Sequence, residues 1–381
     1  MKPKNPNILD ILKNQSSNFL PSNVTNVRVH SLVSFEHQGL SSEMYTFILS
    51  YRRDGLVQTD NLVLRVYNEG FENAGFKEFT LLRALKERGL PVPRVYIYED
   101  INNKLGKAFM VMEKIDGAPA LCLLDDEDAV LVAVDKMAEV LNKIHKQDPR
   151  FLQSFNTMQK QYELEQEKLL KAIVWIKKTP MLFFSSLPSC QKRFITSVKR
   201  LENLEPKKFQ PAILHNDYEP NHVLVVRGKY KIIDWHMAVI GDPCFEVANT
   251  YHVLNLLKRN NKMNLGSYFV ECYEKHNGRK LQNLQFCKTM SILRLASWFL
   301  LFPFDPTIIS IFTNVLRYFF LTGRISYDRR KRRLEKTLEL QHSVDQRPIV
   351  YFQDYIIRYL ENECLQNSEE NIPLLAHSSK N

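Results

Sequence analysis

The first part of the chain shows the alternation of apolar and polar positions that is typical of β-strands. Between about Val27 and Glu113, runs rich in Val, Ile, Tyr and Phe are separated by turn residues. The segment FKEFTLLRALKERG interrupts them with apolar residues at helical spacing, and we expect Gly89 to end that helix. The predicted strand segments are VTNVRVHSLVSF, MYTFILSYRR, NLVLRVYNEG and GKAFMVMEK, and the apolar residues on one face of the predicted helix are Phe76, Phe79, Leu82 and Leu85.

After Gly117 the apolar spacing becomes that of α-helices. The first helix follows an acidic stretch and repeats apolar residues every three or four positions. A second helical block is predicted from about Met158 to Asn203, and a short strand-like island covers Ala212 to Trp235. Helices are expected in most of the remainder, with a loose tail over the last 15 or so residues. The repeating residues of the first helix are Val130, Val134, Met137, Leu141 and Ile144.

Composition narrows the class of protein without identifying it. At 381 residues, the chain is long enough for two or three packed units, and no internal repeat of the solenoid or propeller kind is visible. Its apolar stretches are too short to span a membrane and no secretory signal is apparent, so we expect a cytoplasmic protein. The six scattered cysteines are expected to be reduced thiols. The net charge of +10 mildly favours anionic partners such as nucleotide phosphates.

The strand-like island carries the strongest chemical pattern. Its second half, HVLVVRGKYKIID, predicts a hairpin with RGK as a three-residue turn. In that register Val226 pairs with Tyr230, and His222 lies opposite Asp234. Opposed residues have Cβ atoms ~5 Å apart, close enough to hold one cation together. Asp217 lies in the loop before this strand. A ligand pair beside a free carboxylate is what metal-dependent activation of a hydroxyl requires.

These residues resemble the motif of the aminoglycoside phosphotransferase and choline kinase family, a branch of the protein-kinase-like fold. The family pattern is His-Gly-Asp, an Asn five residues after the Asp, then Ile-Asp-Trp and Gly-Asp-Pro. The resemblance implies an α+β, two-lobed protein-kinase-like fold, with a small antiparallel-sheet N-lobe and a large, mainly helical C-lobe. The matching residues here are His215-Asn216-Asp217, His222, Ile233-Asp234-Trp235 and Gly241-Asp242-Pro243.

The resemblance also implies roles for the motif residues. Asp217 would be the catalytic base, and His222 and Asp234 would bind the metals that bridge the phosphates of ATP or GTP. The expected metal is Mg²⁺, with Mn²⁺ possible because imidazole suits Mn²⁺ or Zn²⁺ better than Mg²⁺. The aminoglycoside 2″-phosphotransferases are similar in having His at the position of His222. Asn221 is a rival ligand if the strand register shifts by one residue.

The first lobe resembles the nucleotide-binding half of such kinases. In LVLRVY, Arg65 stands where the family has a phosphate-binding Lys, and Arg can grip phosphate with two hydrogen bonds. Glu78 on the following helix would orient it by an ion pair. The segment HQGLSSEMYTF places Gly39, Ser41 and Ser42 where backbone N–H groups could approach phosphates.

The segment FMVMEKIDG resembles the hinge between the lobes. Met112 would flank the pocket for the nucleotide base, and backbone groups of Glu113 and Ile115 would contact that base. The expected organisation is an N-terminal extension over residues 1–27, an N-lobe over 28–113, a catalytic and substrate-binding C-lobe over 114–325, a helical extension over 326–364 and a flexible tail over 365–381.

The expected function is transfer of the γ-phosphoryl group to a hydroxyl of a small molecule, whose identity the sequence leaves open. One alternative is an inactive nucleotide-binding pseudokinase, suggested by Arg65 and His222 at two ligand positions. A second is a kinase-like scaffold that binds an anionic surface through the basic run RRKRR at 329–333, although nucleic acid is not an expected partner. A protein Ser/Thr kinase is a lesser option. The residues expected to be structural are His145, His215, Trp235 and Asp242.

Overall fold

The structure is a computed structural model, and it describes residues 7–16, 20, 23–35, 41–124, 129–178, 195–199, 201, 204, 206–256 and 264–301. Several predicted features lie outside these residues. They are Gly39, the basic run at 329–333, the extension at 326–364 and the tail at 365–381.

The chain divides into two compact units. The first comprises Met1–Glu163, Phe209–Leu254 and Lys258–Leu281, and the second comprises Leu164–Lys208, Asn255–Leu257 and Gln282–Asn381. All candidate site residues belong to the first unit. In the part of the chain that is described, every helix is too short or too polar to cross a bilayer.

The strand-rich part forms one antiparallel sheet of five strands in the order β1-β2-β3-β5-β4. Asp54 and Gly55 join β2 to β3 in a two-residue turn, and both have positive φ, as this tight turn requires. The alternation of apolar residues predicts four of these strands but not β4, which follows a Pro-x-Pro segment. The strands are β1 (Val24–Ser34), β2 (Ser42–Arg53), β3 (Leu56–Tyr67), β4 (Val95–Glu99) and β5 (Phe109–Glu113).

The two faces of strand β3 differ: one packs into an apolar core, and the other carries Arg65. Because successive side chains of a strand point to opposite faces, Leu62, Leu64 and Val66 share one face and Arg65 lies on the other. The apolar face packs into a core with the short helix α1 (Asn7–Gln15), whose Ile11 and Leu12 are buried there. The predicted N-terminal extension therefore contributes to this core.

Helix α2 (Glu72–Glu87) covers the opposite side of the sheet, where Arg65 lies. Gly89 follows its end with a φ of +74°, as predicted. Leu82 and Leu85 of the predicted apolar face are buried, whereas Phe76 is 55% exposed and its ring edge packs on Tyr98. The fully buried positions include Glu78 instead. Counting apolar residues alone missed this, because the helix buries a carboxylate that has a cation partner.

The remaining described chain is mainly helical, with short strands that carry the motifs. Strand β7 (Ala212–Leu214) pairs with β10 (Val239–Gly241), and β6 (Ala118–Pro119), β8 (Val223–Val226) and β9 (Lys229–Ile232) form a second small sheet. The second unit contains a reciprocal bond pair between the Asn283 amide and the Lys207 backbone, at 2.9 Å in each direction. The helices are α3 (Ala129–His145), α4 (Phe155–Lys178), α5 (Pro243–Leu256), α6 (Leu265–Asn277) and α7 (Leu284–Leu301).

The register predicted for the β8–β9 hairpin is wrong by one residue. Val226 pairs with Lys229, so the turn contains only Arg227 and Gly228. Both have positive φ, at 49° and 76°, which is the geometry of a tight two-residue hairpin turn. The backbone partner of His222 is consequently Ile233, whose N–H donates to the His222 carbonyl at 2.9 Å.

Candidate active site

The loop after β7 carries His215, Asn216 and Asp217. His215 is fully buried, donates from Nε2 to the Ile233 carbonyl at 2.8 Å and packs its ring edge on Trp235. Asn216 takes a left-handed backbone conformation with φ of 65°. This sharp turn leaves the side chain of Asp217 about half exposed to solvent, while its neighbours are buried. His215 and Trp235 thus have the structural surroundings expected of them.

Glu246, near the start of α5, holds this loop, and the sequence analysis missed it. Its buried carboxylate accepts the backbone N–H groups of His215 at 3.1 Å and Asn216 at 2.5 Å. It also bonds Nε2 of His145 at 2.9 Å, and His145 Nδ1 bonds the hydroxyl of Tyr273 at 2.8 Å. The signal available in the sequence was an acidic residue in the first turn of the helix that follows Gly-Asp-Pro.

His222 lies between three carboxylates. Its Nδ1 donates to the backbone carbonyl of Asp217 at 2.9 Å, so Nε2 carries the lone pair when the ring is neutral. Nε2 lies 3.8 Å from Oδ2 of Asp234 and 3.7 Å from Oε1 of Glu219. The predicted meeting of His222 and Asp234 occurs despite the register shift. Asn221, the rival that such a shift favoured, is buried and donates instead to Glu219 at 3.3 Å.

Asp234 presents its two carboxylate oxygens to different partners. Oδ1 accepts from Arg65 at 3.0 Å and from Nδ1 of His236 at 2.7 Å, whereas Oδ2 is the oxygen nearer His222. The residue has a left-handed backbone, with φ of 66° and ψ of 61°, and precedes a turn of 3₁₀ helix over Trp235–Met237. This turn, which follows the end of β9, packs against α2.

Arg65 is buried, and its guanidinium group hydrogen-bonds to Ser42, Glu78 and Asp234. One guanidinium nitrogen bonds Glu78 and Asp234, each at 3.0 Å, and Nε donates to the hydroxyl of Ser42 at 2.9 Å. The second oxygen of Glu78 accepts from Tyr67 at 3.1 Å. The structure therefore brings together the strand, helix and hairpin positions that the sequence analysis singled out.

Burial and the charged neighbours shift the pKa values of three side chains in the site. Burial disfavours protonation of His222, but Asp217, Glu219 and Asp234 outweigh this and raise its pKa to about 9. Burial raises the pKa of Glu219 to about 7, with His222 opposing the shift. Burial also works against the charged form of Asp234, yet Arg65 and then His236 hold its pKa well below the usual value.

His222 Nε2 and Asp234 Oδ2 are donors that suit a divalent cation whose remaining ligands come from other molecules. Adjacent ligands of an octahedral Mg²⁺ lie about 3.0 Å apart, so His222 Nε2 and Asp234 Oδ2, which are 3.8 Å apart, would have to approach by somewhat less than ~1 Å to share an ion. The His222 ring would also have to give up its Nε2 proton, because a metal ligand must be deprotonated. Within the described ranges, no three His, Cys, Asp or Glu side chains form a ready coordination group. Such ions commonly use one or two protein ligands together with phosphates and water.

Ser41 and Ser42, the two serines predicted to lie beside the nucleotide phosphates, already make hydrogen bonds within the first unit. The hydroxyl of Ser42 is buried on Arg65, and the Ser41 carbonyl accepts the N–H of Asn68 at 2.9 Å. A phosphate contact there would use backbone N–H groups or follow a movement of Arg65. These two serines flank the start of β2, next to the end of β3 that carries Arg65.

The predicted hinge lies at the end of β5. Met112 is buried between β3 and β4, and the Glu113 carboxylate bonds Lys231 at 2.8 Å and Lys86 at 3.4 Å. Glu113 donates its N–H to the Arg94 carbonyl, so a base contact from Glu113 would use its carbonyl. The Ile115 carbonyl accepts from Gly117 at 3.2 Å, which leaves its N–H as the group to face a base.

A model of the phosphotransferase enzyme family matches residues 49–279. The match covers more than half of the chain and includes every candidate site residue except Gly39, Ser41 and Ser42. The chain belongs to the phosphotransferase enzyme family, as the motif resemblance indicated.

One curated relative is the mouse (Mus musculus) acyl-CoA dehydrogenase family member 10. It is 24% identical over 289 residues, an alignment that covers 70% of this chain and 24% of that protein. The chain therefore spans about a quarter of the length of the curated relative that it matches.

Solved structures show the same architecture. A choline kinase from Cryptosporidium parvum Iowa II is 13% identical with a TM-score of 0.53, covering 96% of this chain and 97% of that one. A spectinomycin phosphotransferase, APH(9)-Ia, in complex with ADP and spectinomycin is 12% identical with a TM-score of 0.52, covering 85% and 96%. At such identities the likeness concerns the fold. It confirms the predicted two-lobed protein-kinase-like fold of α+β class.

Proposed function

We propose that the protein transfers the γ-phosphoryl group of ATP or GTP to a hydroxyl of a small molecule. The observation that carries this proposal is the cluster of Arg65, Glu78, Asp234 and His222 beside the exposed carboxylate of Asp217. It combines a phosphate-binding cation, a cation-binding pair and a proton acceptor within one group of neighbouring side chains. The family membership and the nucleotide complex of a protein with the same fold support it.

Each side chain has a role that its surroundings suit. Asp217 hydrogen-bonds the acceptor hydroxyl and takes its proton as the oxygen attacks. The new O–P bond forms at the γ-phosphorus while the bond to the β–γ bridging oxygen breaks, which releases ADP or GDP. Arg65 steadies the phosphates, with Glu78 fixing its guanidinium group.

His222 and Asp234 would hold a divalent cation, Mg²⁺ or Mn²⁺. When bound, this ion neutralises charge on the nucleotide phosphates. Ser41 and Ser42 would lie beside the phosphates, and Met112, Glu113 and Ile115 would border the nucleotide base at a hinge between an N-lobe ending at 113 and a C-lobe starting at 114.

The first experiment is a thermal shift assay with ATP or GTP and Mg²⁺ or Mn²⁺. We expect a metal-dependent rise in Tm for the native protein, and loss of that rise in Asp234→Ala. Glu87→Gln is the control, because Glu87 is exposed at the far end of α2 and should leave the shift unchanged. If Asp234→Ala keeps the full shift and turns over normally, the metal assignment is wrong.

The competing function is a pseudokinase that binds nucleotide without transferring phosphate. Arg65 favours this function because its guanidinium group is already bonded to Glu78 and Asp234. The two functions separate in a turnover assay against a panel of small alcohols, amino alcohols and sugars. Phosphorylated product that disappears in Asp217→Asn supports the kinase, whereas tight metal-dependent binding without any product supports the pseudokinase.

A further inference from the structure

The 3₁₀ turn after Asp234 contains a second histidine, His236, that the mechanism above does not use. Its Nδ1 lies 2.7 Å from Oδ1 of Asp234, and because a carboxylate oxygen can only accept, Nδ1 is the donor. The bond exists in both the neutral and the protonated ring. His236 is partly buried, with 22% of its side chain exposed, and lies in the turn that packs on α2.

The same oxygen of Asp234 accepts from Arg65 at 3.0 Å. Two N–H donors therefore occupy Oδ1, one from the strand side and one from within the turn. Oδ2 carries neither of these bonds and lies 3.8 Å from Nε2 of His222. The carboxylate is thus held from one oxygen while the other is presented to the proposed cation position.

Arg65 alone would not keep this orientation during the proposed reaction. A nucleotide phosphate competes with Asp234 for the guanidinium, since phosphate accepts strong paired bonds from Arg. His236 cannot be drawn away in the same manner, because it is two residues from Asp234 on the same turn. That turn is fastened to α2 by Lys77, whose Nζ donates to the Ala238 carbonyl at 3.0 Å.

We propose that His236 is a positioning residue for the metal: its Nδ1–H fixes the Asp234 carboxylate so that Oδ2 faces the cation shared with His222. The proposal rests on the proposed nucleotide–metal site. Groups that orient metal ligands typically change metal affinity by about 10- to 100-fold when they are removed. Neither the family motif nor the resemblance assigns a role to this position.

The test uses variants that separate the hydrogen bond from side-chain volume. His236→Asn places its amide nitrogen where Nδ1 lies, His236→Leu has nearly the same shape as Asn without a donor, and His236→Gln reaches the position of Nε2 instead. Mn²⁺ binding is measured by the loss of the free-ion EPR signal in the presence of ADP or GDP. Nucleotide binding without metal is measured in parallel by calorimetry.

We expect His236→Leu and His236→Gln to weaken Mn²⁺ binding about tenfold or more, with His236→Asn within about threefold of the native protein. Binding of nucleotide without metal should be unchanged in all three. Native-like Mn²⁺ affinity in His236→Leu would overturn the inference, as would equal losses in the Asn and Leu variants. If Leu does not fold, the Asn and Gln pair decides the question alone.

The wild-type arm distinguishes this inference from the function on which it depends. If the native protein binds neither nucleotide nor Mn²⁺ with nucleotide, the proposed function fails and His236 has no metal to serve. If the native protein binds both and the variants match it, only the role of His236 fails.

Discussion

At the scale of single residues, the guanidinium of Arg65 connects the parts of the site. A buried cation is tolerated when opposite charges and hydrogen bonds replace its lost hydration. Glu78, Asp234 and Ser42 do this here. The pairing with Glu78 was foreseeable from the motif resemblance. The direct bond to Asp234, 169 positions away along the chain, was not.

Replacing Arg65 with Leu should lower the free energy of unfolding by about 3–5 kcal/mol, because Glu78 would remain buried without a cation. Urea denaturation measures this. Arg83→Leu is the matched control on α2: its ion pair with Glu87 is exposed, and its loss should cost less than about 1 kcal/mol. Equal effects in the two variants would show that the buried pair contributes no more than a surface one.

At the scale of elements, the β8–β9 hairpin sets where His222 and Asp234 lie. Its two-residue turn places Gly228 at a φ of 76°, with nothing within 4 Å of an added Cβ. A side chain at this position would therefore meet backbone strain without any clash.

Gly228→Val should reduce the free energy of unfolding by about 1–2 kcal/mol, the cost of a left-handed backbone for an L-residue. The measurement is a denaturant midpoint at unchanged m-value. Arg227→Asn, also at positive φ, should be neutral or slightly stabilising because Asn tolerates this conformation. A Val variant as stable as the native protein would contradict the turn geometry.

One side chain of helix α5 holds the loop that carries His215, Asn216 and Asp217. Glu246 accepts two backbone N–H groups of the loop and the ring of His145. These bonds orient the residues immediately before Asp217.

Glu246→Gln keeps the size of the side chain but turns one acceptor oxygen into a donor. At least one buried N–H group should then lack its partner, at a cost of about 1–3 kcal/mol, and any phosphotransfer should slow. Glu271→Gln, exposed on α6, is the control and should stay within about 0.5 kcal/mol of the native protein. Unchanged stability of Glu246→Gln would show that the loop does not depend on this carboxylate.

At the scale of the whole molecule, the residues of the site come from two parts of the first unit. One part is the five-stranded sheet with α2, and the other is the mainly helical part that carries the hairpin. Lys231 on β9 bonds Glu113 at the proposed hinge, and Lys77 on α2 bonds the turn after Asp234. A ligand that contacts both sides should therefore stabilise α2 and the hairpin together.

We expect ADP with Mn²⁺ to slow amide hydrogen exchange in α2 and in the segment from His215 to Asp234. At 100 times the dissociation constant the stabilisation is about 2.7 kcal/mol. Chelating the metal with EDTA should remove most of the slowing, because Asp234 and His222 would lose the ion that links them to the phosphates. Equal protection with and without EDTA would show that the cation is not part of the link.

The sequence alone determined most of the strands and helices, because these depend on short-range periodicity, and the resemblance of its motif implied the α+β kinase-like fold. It also marked Arg65, Glu78, Asp217, His222 and Asp234 as candidates. The hairpin register escaped it, because the residues RGK are compatible with both a two-residue and a three-residue turn. Glu246 and His236 escaped it too, because their roles arise from contacts between elements. Only the tertiary structure could decide which oxygen of Asp234 each neighbour takes, as packing fixes side-chain orientation.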